Sequence, residues 1–245
     1  MLAKEYEKNT VSVTEEMQVA FAQASAEERV ALAWNRFGKD VVFASSLGVE
    51  DQVLTDIIAK HASLLPIFTL DTGRLFEETY DLIERTRRHY SLPVSVYFPD
   101  AFEVEELVNA QGPNLFRYSP ELRRRCCAVR KLAPLRRALQ GKRAWMCGLR
   151  REQGVTREDV EFFQWDAANN LFKINPLADW SQERVLEYVR EHKVPYNVLH
   201  DEGFPSIGCA CCTRAVCEGE DVRAGRWWWE SPDHKECGLH RRPPR

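Results

Sequence analysis

What the sequence lacks narrows the field first. No apolar run approaches the ~18 residues needed to cross a bilayer, so no membrane is expected among its partners. The opening MLAKEYEKNTVSVTEEM is charged and has no apolar signal core, which points to the cytoplasm, where thiols stay reduced. Neither GxxxxGK[ST] nor GxGxxG occurs, which argues against P-loop NTPases and dinucleotide oxidoreductases. Positive charge is not in excess: 34 Lys and Arg stand against 37 Asp and Glu, for a net charge of −3. No general cationic surface is therefore available for nucleic acid, although local Arg and Lys clusters can hold a small anion. Internal repeats and low-complexity linkers are also missing.

What remains is an ordinary globular chain of 245 residues, 44% hydrophobic and 29% charged. Ser25 and Glu28 form a capping-box pattern that opens a helix closing at Gly38. Strand-like runs then alternate with helical ones: DVVFAS, LGVEDQVLTDIIAKH, LLPIFTLDT, RLFEETYDLIERTRRHY and VSVYFPD. A helix from about Pro120 to about Gln140, a strand AWMCGL, a hairpin around Ala168-Asn169-Asn170 and a helix capped by Ser181 follow. This alternation predicts an α/β fold with a mainly parallel sheet covered on both faces. After about Tyr196 the regularity fades. The reading is one domain: residues 1–218 as the body, and residues 219–245 as an irregular, mobile C-terminal tail.

Ligands of open α/β sheets bind beyond the carboxyl ends of the strands. Three such ends carry small and polar residues here: Ser45, Ser46, Gly48, Glu50 and Asp51; then Thr72 and Gly73 with Arg74; then Gly148 and Arg150 with Glu152. The first leads into a helix start, where N–H groups and the helix dipole favour an anion. Each loop alone also reads as an ordinary turn. Together they suggest a nucleotide pocket.

Eight cysteines remain to be explained, and SIGCACCTRAVC holds four of them within residues 206–217. In a reducing compartment, metal binding or redox catalysis explains them better than disulfides. Cys126 and Cys127 are adjacent, and Cys209 and Cys212 form a CxxC. Two such pairs suit zinc or an iron–sulfur cluster. Neighbouring helical residues project about 100° apart, which favours the separate irons of a cubane, with zinc as the alternative. Small buried hydrophobes are the plainer reading of Cys126 and Cys127 taken alone.

The set CC…VRK, SIGCxxCTRAV, GEDxRAGRWWWE and ECGLH, in this order, resembles the assimilatory adenosine 5′-phosphosulfate (APS) reductases of the wider APS/PAPS reductase family. The Ser-rich loop, LDTGR and GLRREQ extend the resemblance over nearly the whole chain from about residue 40. It implies an adenine-nucleotide α-hydrolase-like three-layer fold and one 4Fe–4S cluster on Cys126, Cys127, Cys209 and Cys212. It also implies thioredoxin-dependent reduction of APS to sulfite and AMP through an S-sulfocysteine, with a thioredoxin or glutaredoxin-like dithiol protein as partner and no flavin or NAD(P). Cys237 of ECGLH, apart from the metal set, is the implied nucleophile. Lys131, Arg223, Arg226 and His240 are implied at the phosphosulfate, where Arg suits anionic oxygens. The family usually has proline where Cys211 stands; Cys211, Cys147 and Cys217 are read as bystanders. Arg123 to Arg125 read as solvated, and Trp227 to Trp229 as packing for the base of the tail. A homo-oligomer is compatible with this reading.

Three alternatives stay open. A PAPS reductase would add a cationic pocket for a 3′-phosphate. A PP-loop pyrophosphatase would show SGGxDS, where residues 45–51 read SSLGVED. A zinc- or cluster-binding regulatory module would need neither Cys237 nor the nucleotide loops.

Overall fold

The computed structural model describes residues 15–154 and 157–231. A helix over residues 15–23 (α1) precedes α2 (Ala26–Phe37). The expected capping box is formed: Glu28 N–H donates to Ser25 Oγ at 3.2 Å and Ser25 N–H to the Glu28 carboxylate at 2.7 Å. Gly38 ends the helix at φ 52°, a conformation without penalty only for glycine.

Six strands follow: β1 (Val41–Ala44), β2 (Ile67–Leu70), β3 (Val94–Tyr97), β4 (Ala144–Met146), β5 (Phe163–Asp166) and β6 (Leu171–Ile174). Their order is β3-β2-β1-β4-β6-β5, parallel except for β5, which returns antiparallel along β6. Asn170, at φ 56°, turns that hairpin where the sequence placed it. Helices α3 (Val49–His61), α4 (Glu77–Tyr90) and α8 (Gln182–His192) were also legible, the last with Ser181 Oγ accepting from Arg184 N–H at 3.0 Å.

Alternation along the strands builds the layers. In β1, Val41 and Phe43 pack with Val30 of α2, Val53 of α3 and Val189 of α8, while Val42 joins Leu135 and Leu139 on the opposite face. Each large side chain buried this way contributes roughly 1.5–3 kcal/mol. The three-layer expectation holds.

Two departures matter. Helix α5 (Ala101–Gln111) was not read from the sequence. The expected helix near 120–140 is broken into α6 (Pro120–Cys127), a π-helical turn (Ala128–Leu132) and α7 (Ala133–Leu139). Pro134 has no N–H to offer Arg130 O four residues back, so the regular ladder cannot run through. That turn carries Lys131.

Topology also fixes where a ligand belongs. β1 lies between β2 and β4, so the chain leaves it first to one side and later to the other. The loops after β1, β2 and β4 therefore meet over one crevice.

Candidate functional site

A cavity of about 270 Å³ opens in that crevice. Of the expected substrate-binding residues, Ser45, Ser46, Gly48, Glu50, Asp51, Thr72, Lys131, Gly148, Arg150, Arg223 and Arg226 all line it. Gly73 does not, but its N–H donates to Asp71 at 2.7 Å and shapes the turn beside Thr72. Cys237 and His240 lie outside the described residues.

Asp51 ties two of the loops together. Its carboxylate accepts from Ser46 N–H and Ser46 Oγ, each at 2.6 Å, and from Gly148 N–H at 2.9 Å. Burial pushes its pKa up to about 6, against the lowering effect of the Ser46 bonds, so at neutral pH it remains largely ionised and accepts from all three donors. Leu47, between the two serines and Gly48, is held at φ 62°, unusual for a branched side chain. The start of α3 at Gly48 carries no side-chain cap, leaving this end of the helix suited to an anion.

Gly148 allows the close approach. A Cβ there would stand 2.4 Å from Asp51 Oδ1 and 3.2 Å from Asp51 N. Gly148→Ala should therefore push the β1 and β4 loops apart, at a cost of about 1–3 kcal/mol in stability. The expected result is a lower melting temperature and roughly tenfold weaker AMP binding by calorimetry; unchanged binding would remove Gly148 from the site.

Arg150 is buried and committed to the protein. It donates to Glu50 Oε1 at 2.8 Å and to Trp180 O at 3.1 Å, and it also bonds Gln182. It braces Glu50 at the cleft wall. Arg226 is buried too, with Nη1 3.3 Å from Ser206 Oγ and 3.2 Å from Ile207 O. Gly208 makes room for it: a Cβ there would lie 2.2 Å from Arg226 Nη2. The glycine of SIGC thus seats the arginine of RAGRWWWE. His200, Gln153 and Arg157 also line the cleft and were not singled out from the sequence.

Behind the cleft lies a second, small cavity. Cys126, Cys127, Cys209, Cys211 and Cys212 surround it with Arg74, Arg123, Arg130, Lys131, Arg226, Phe116 and Trp227. Lys131, Cys209 and Arg226 line both cavities, so the cysteine pocket and the cleft share a wall. Cys209 Sγ is 3.2 Å from Thr72 Oγ1, and Arg130 is held by Thr72 O at 2.7 Å. Among the described residues, no three Cys, His, Asp or Glu side chains stand as a ready site for a metal ion. The donor set nevertheless fits a thiolate-bound cluster. Both cysteine pairs face one cavity, and among the described residues five cations face it with them and no carboxylate lines it. Those cations offset the negative charge that several thiolates would carry.

The bystander cysteines separate physically. Cys147 is buried, its thiol donates to Asn175 Oδ1 at 3.1 Å, and burial pushes its pKa up to about 11. Cys217 is exposed. Cys211 is not remote: its sulfur is 3.8 Å from Cys212 Sγ and 3.6 Å from Arg74 Nη1. With Cys212 as a neutral thiol, donation from it, opposed by burial and aided by Arg74, lowers the pKa of Cys211 from the ordinary thiol value.

Arg123 corrects the sequence reading. Expected to be solvated, it is 1% exposed, because Glu230 accepts from its Nε at 2.6 Å. Nothing in RRRCC announces a partner 107 residues away. Trp227 is buried and Trp229 packs against Phe116 at 5.9 Å, so these two pack the base of the tail, whereas Trp228 is exposed.

Comparison with known proteins agrees with this geometry. The model of the phosphoadenosine phosphosulfate reductase domain matches residues 40–215. A protein of Allochromatium vinosum named adenosine 5′-phosphosulfate reductase is 57% identical over 202 residues, 82% of this chain and 79% of its own. One of the same name from Neisseria meningitidis serogroup B is 48% identical over 204 residues, 83% of each chain. Among solved structures, the phosphate complex of Candida auris phosphoadenylyl-sulfate (PAPS) reductase superposes with a TM-score of 0.71 at 26% identity, covering 83% of this chain and 96% of that one. Candida glabrata FMN adenylyltransferase (TM-score 0.53, 16% identity, 81% and 70% covered) shares the fold alone. The fold is thus that of the adenine-nucleotide α-hydrolases, and the chain belongs to the phosphoadenosine phosphosulfate reductase family.

Proposed function

We propose that this chain reduces adenosine 5′-phosphosulfate to sulfite and AMP in sulfate assimilation, drawing electrons from a thioredoxin-like dithiol protein in the cytoplasm. The observation that carries this reading is the wall shared by the nucleotide cleft and the cysteine pocket, with Lys131 and Arg226 facing both. The loops after β1, β2 and β4 bind the nucleotide, while Lys131, Arg223, Arg226 and His240 receive the phosphosulfate. Residues 1–218 supply these loops and the five cysteines of the second cavity; residues 219–245 supply Arg223, Arg226 and the nucleophile.

Cys237 is the nucleophile. Its thiolate attacks the sulfonate sulfur, forming an S–S bond as the S–O bond to AMP breaks, and AMP leaves as its phosphate anion. Cations beside the site favour the thiolate and screen its approach to an anion. A thiolate of the dithiol protein then attacks Cys237 Sγ and expels sulfite, and its second thiol frees Cys237. The two electrons that reduce the sulfur come from that dithiol, which ends as a disulfide. Cys126, Cys127, Cys209 and Cys212 would hold a 4Fe–4S cluster, which would supply a fixed anionic anchor behind the cleft.

Steady-state kinetics with both nucleotides tests the substrate. APS is expected to give the higher kcat/KM by at least about a hundredfold; a preference for PAPS would transfer the chain to the 3′-phosphorylated substrate.

A further inference from the structure

Arg123 lies one helical turn before Cys127 on α6, so their side chains share a face. Its guanidinium is shared three ways. It pairs with Glu230, whose side chain is 3% exposed, stacks 4.5 Å from the Trp227 ring centroid, and lines the second cavity beside Cys127. Glu230 Oε2 is buried with no hydrogen-bond partner among the described residues. Burying such a pair is costly, and well-packed apolar residues often serve stability as well or better. Stability alone therefore does not call for it.

The position of the pair suggests a task. The segment 227–230 is tied to both cysteine pairs, to α6 through Arg123 and to the CxxC through Trp227 N–H, which donates to Cys212 O at 3.1 Å. Seven residues beyond Glu230 stands Cys237. We propose that the Arg123–Glu230 pair couples the cysteine site to the catalytic tail, so that loading of the thiolates and anchoring of the segment entering the tail reinforce each other. This rests on the reading that the four cysteines hold a cluster. An anionic loaded site draws Arg123 toward Cys127 and keeps it aligned with Glu230. By reciprocity, losing Glu230 weakens retention of the cluster, and losing the cluster loosens residues 227–230. Arg123 is a positioning residue: it acts through Cys127 and Glu230.

The test uses anaerobically purified full-length protein. Two readouts are taken: the rate of iron release to a ferrous chelator, and hydrogen exchange at the amides of residues 227–230 with and without iron. Glu230→Gln should release iron about tenfold faster than wild type. The double variant Arg123→Met/Glu230→Met removes both charges, so no lone buried charge is left to unfold it. It should melt near the wild-type temperature, still release iron about tenfold faster, and show protection at 227–230 that no longer responds to iron. Wild-type iron release in the double variant, with exchange still iron-dependent, would make the pair a structural clamp and overturn the inference. Should the double variant not fold, wild-type iron release in Glu230→Gln overturns it equally. Wild-type protein without iron would instead sink the cluster reading, and this inference with it.

Discussion

Cys237→Ser should abolish sulfite formation, by at least ~10³-fold, while leaving iron content, visible spectrum and AMP affinity at wild-type values. The expectation follows from a separation of duties. Of the cysteines around the second cavity, Cys126, Cys209 and Cys212 are buried and Cys127 and Cys211 half-buried, all among arginines, which suits holding a group in place rather than carrying one to an external dithiol protein. A sulfur that must receive a group from the cleft and then present it to a second protein has to come from elsewhere in the chain. Among the thiols outside that cavity, Cys147 is buried and held protonated, and Cys217 belongs to none of the shared motifs. Cys237 is left. Anaerobic single-turnover sulfite assays check this directly, and a Cys237→Ser enzyme with full activity would defeat the assignment.

Cys209→Ser carries the other large effect. Cys209 is buried, held 3.2 Å from Thr72 Oγ1 in the loop after β2, and lines both cavities. On the proposed ligand set, its loss would remove a soft sulfur donor and disturb the wall of the nucleotide cleft at once. The expected protein lacks iron, is colourless, and loses activity by at least ~10²-fold. Cys217→Ser, changing an exposed thiol, should keep both iron and activity. Iron analysis and turnover on the two variants decide the matter. Iron retained at the wild-type level in Cys209→Ser would show that the ligand set is drawn wrongly, and Cys211, on the same cavity wall, would be the first substitute to examine.

What could be read from the sequence was whatever is encoded locally. The Ser45–Asp51 loop was legible only in company: alone it reads as an ordinary turn, and it pointed to a nucleotide because two further strand ends carry small and polar residues as well. Ser25, Ser181 and Gly38 marked helix ends because caps act within one turn. Helix α5 could have been read, since Val104, Leu107 and Val108 recur at helical spacing between an Asp100 cap and Gly112, but the stripe is short and only Leu107 on it is buried. The π turn escaped for a different reason: Pro134 was visible, but whether proline kinks, ends or re-registers a helix depends on what packs around it. Arg123 could not be read at all. A buried arginine is defined by its partner, and Glu230 reaches it only once the base of the tail folds back over α6. The same holds for Gly208, whose missing Cβ matters only because Arg226 occupies the space. Residue types were legible; pairings between distant segments were not.

One measurement bears most directly on the division of labour among the sulfurs. Protein mixed with APS in the absence of any reductant, quenched, digested and mapped by mass spectrometry should carry the mass of one SO₃ group on the peptide containing Cys237, and on no other cysteine. Finding that group on Cys209, Cys211 or Cys217 instead, with Cys237 unmodified, would contradict the account.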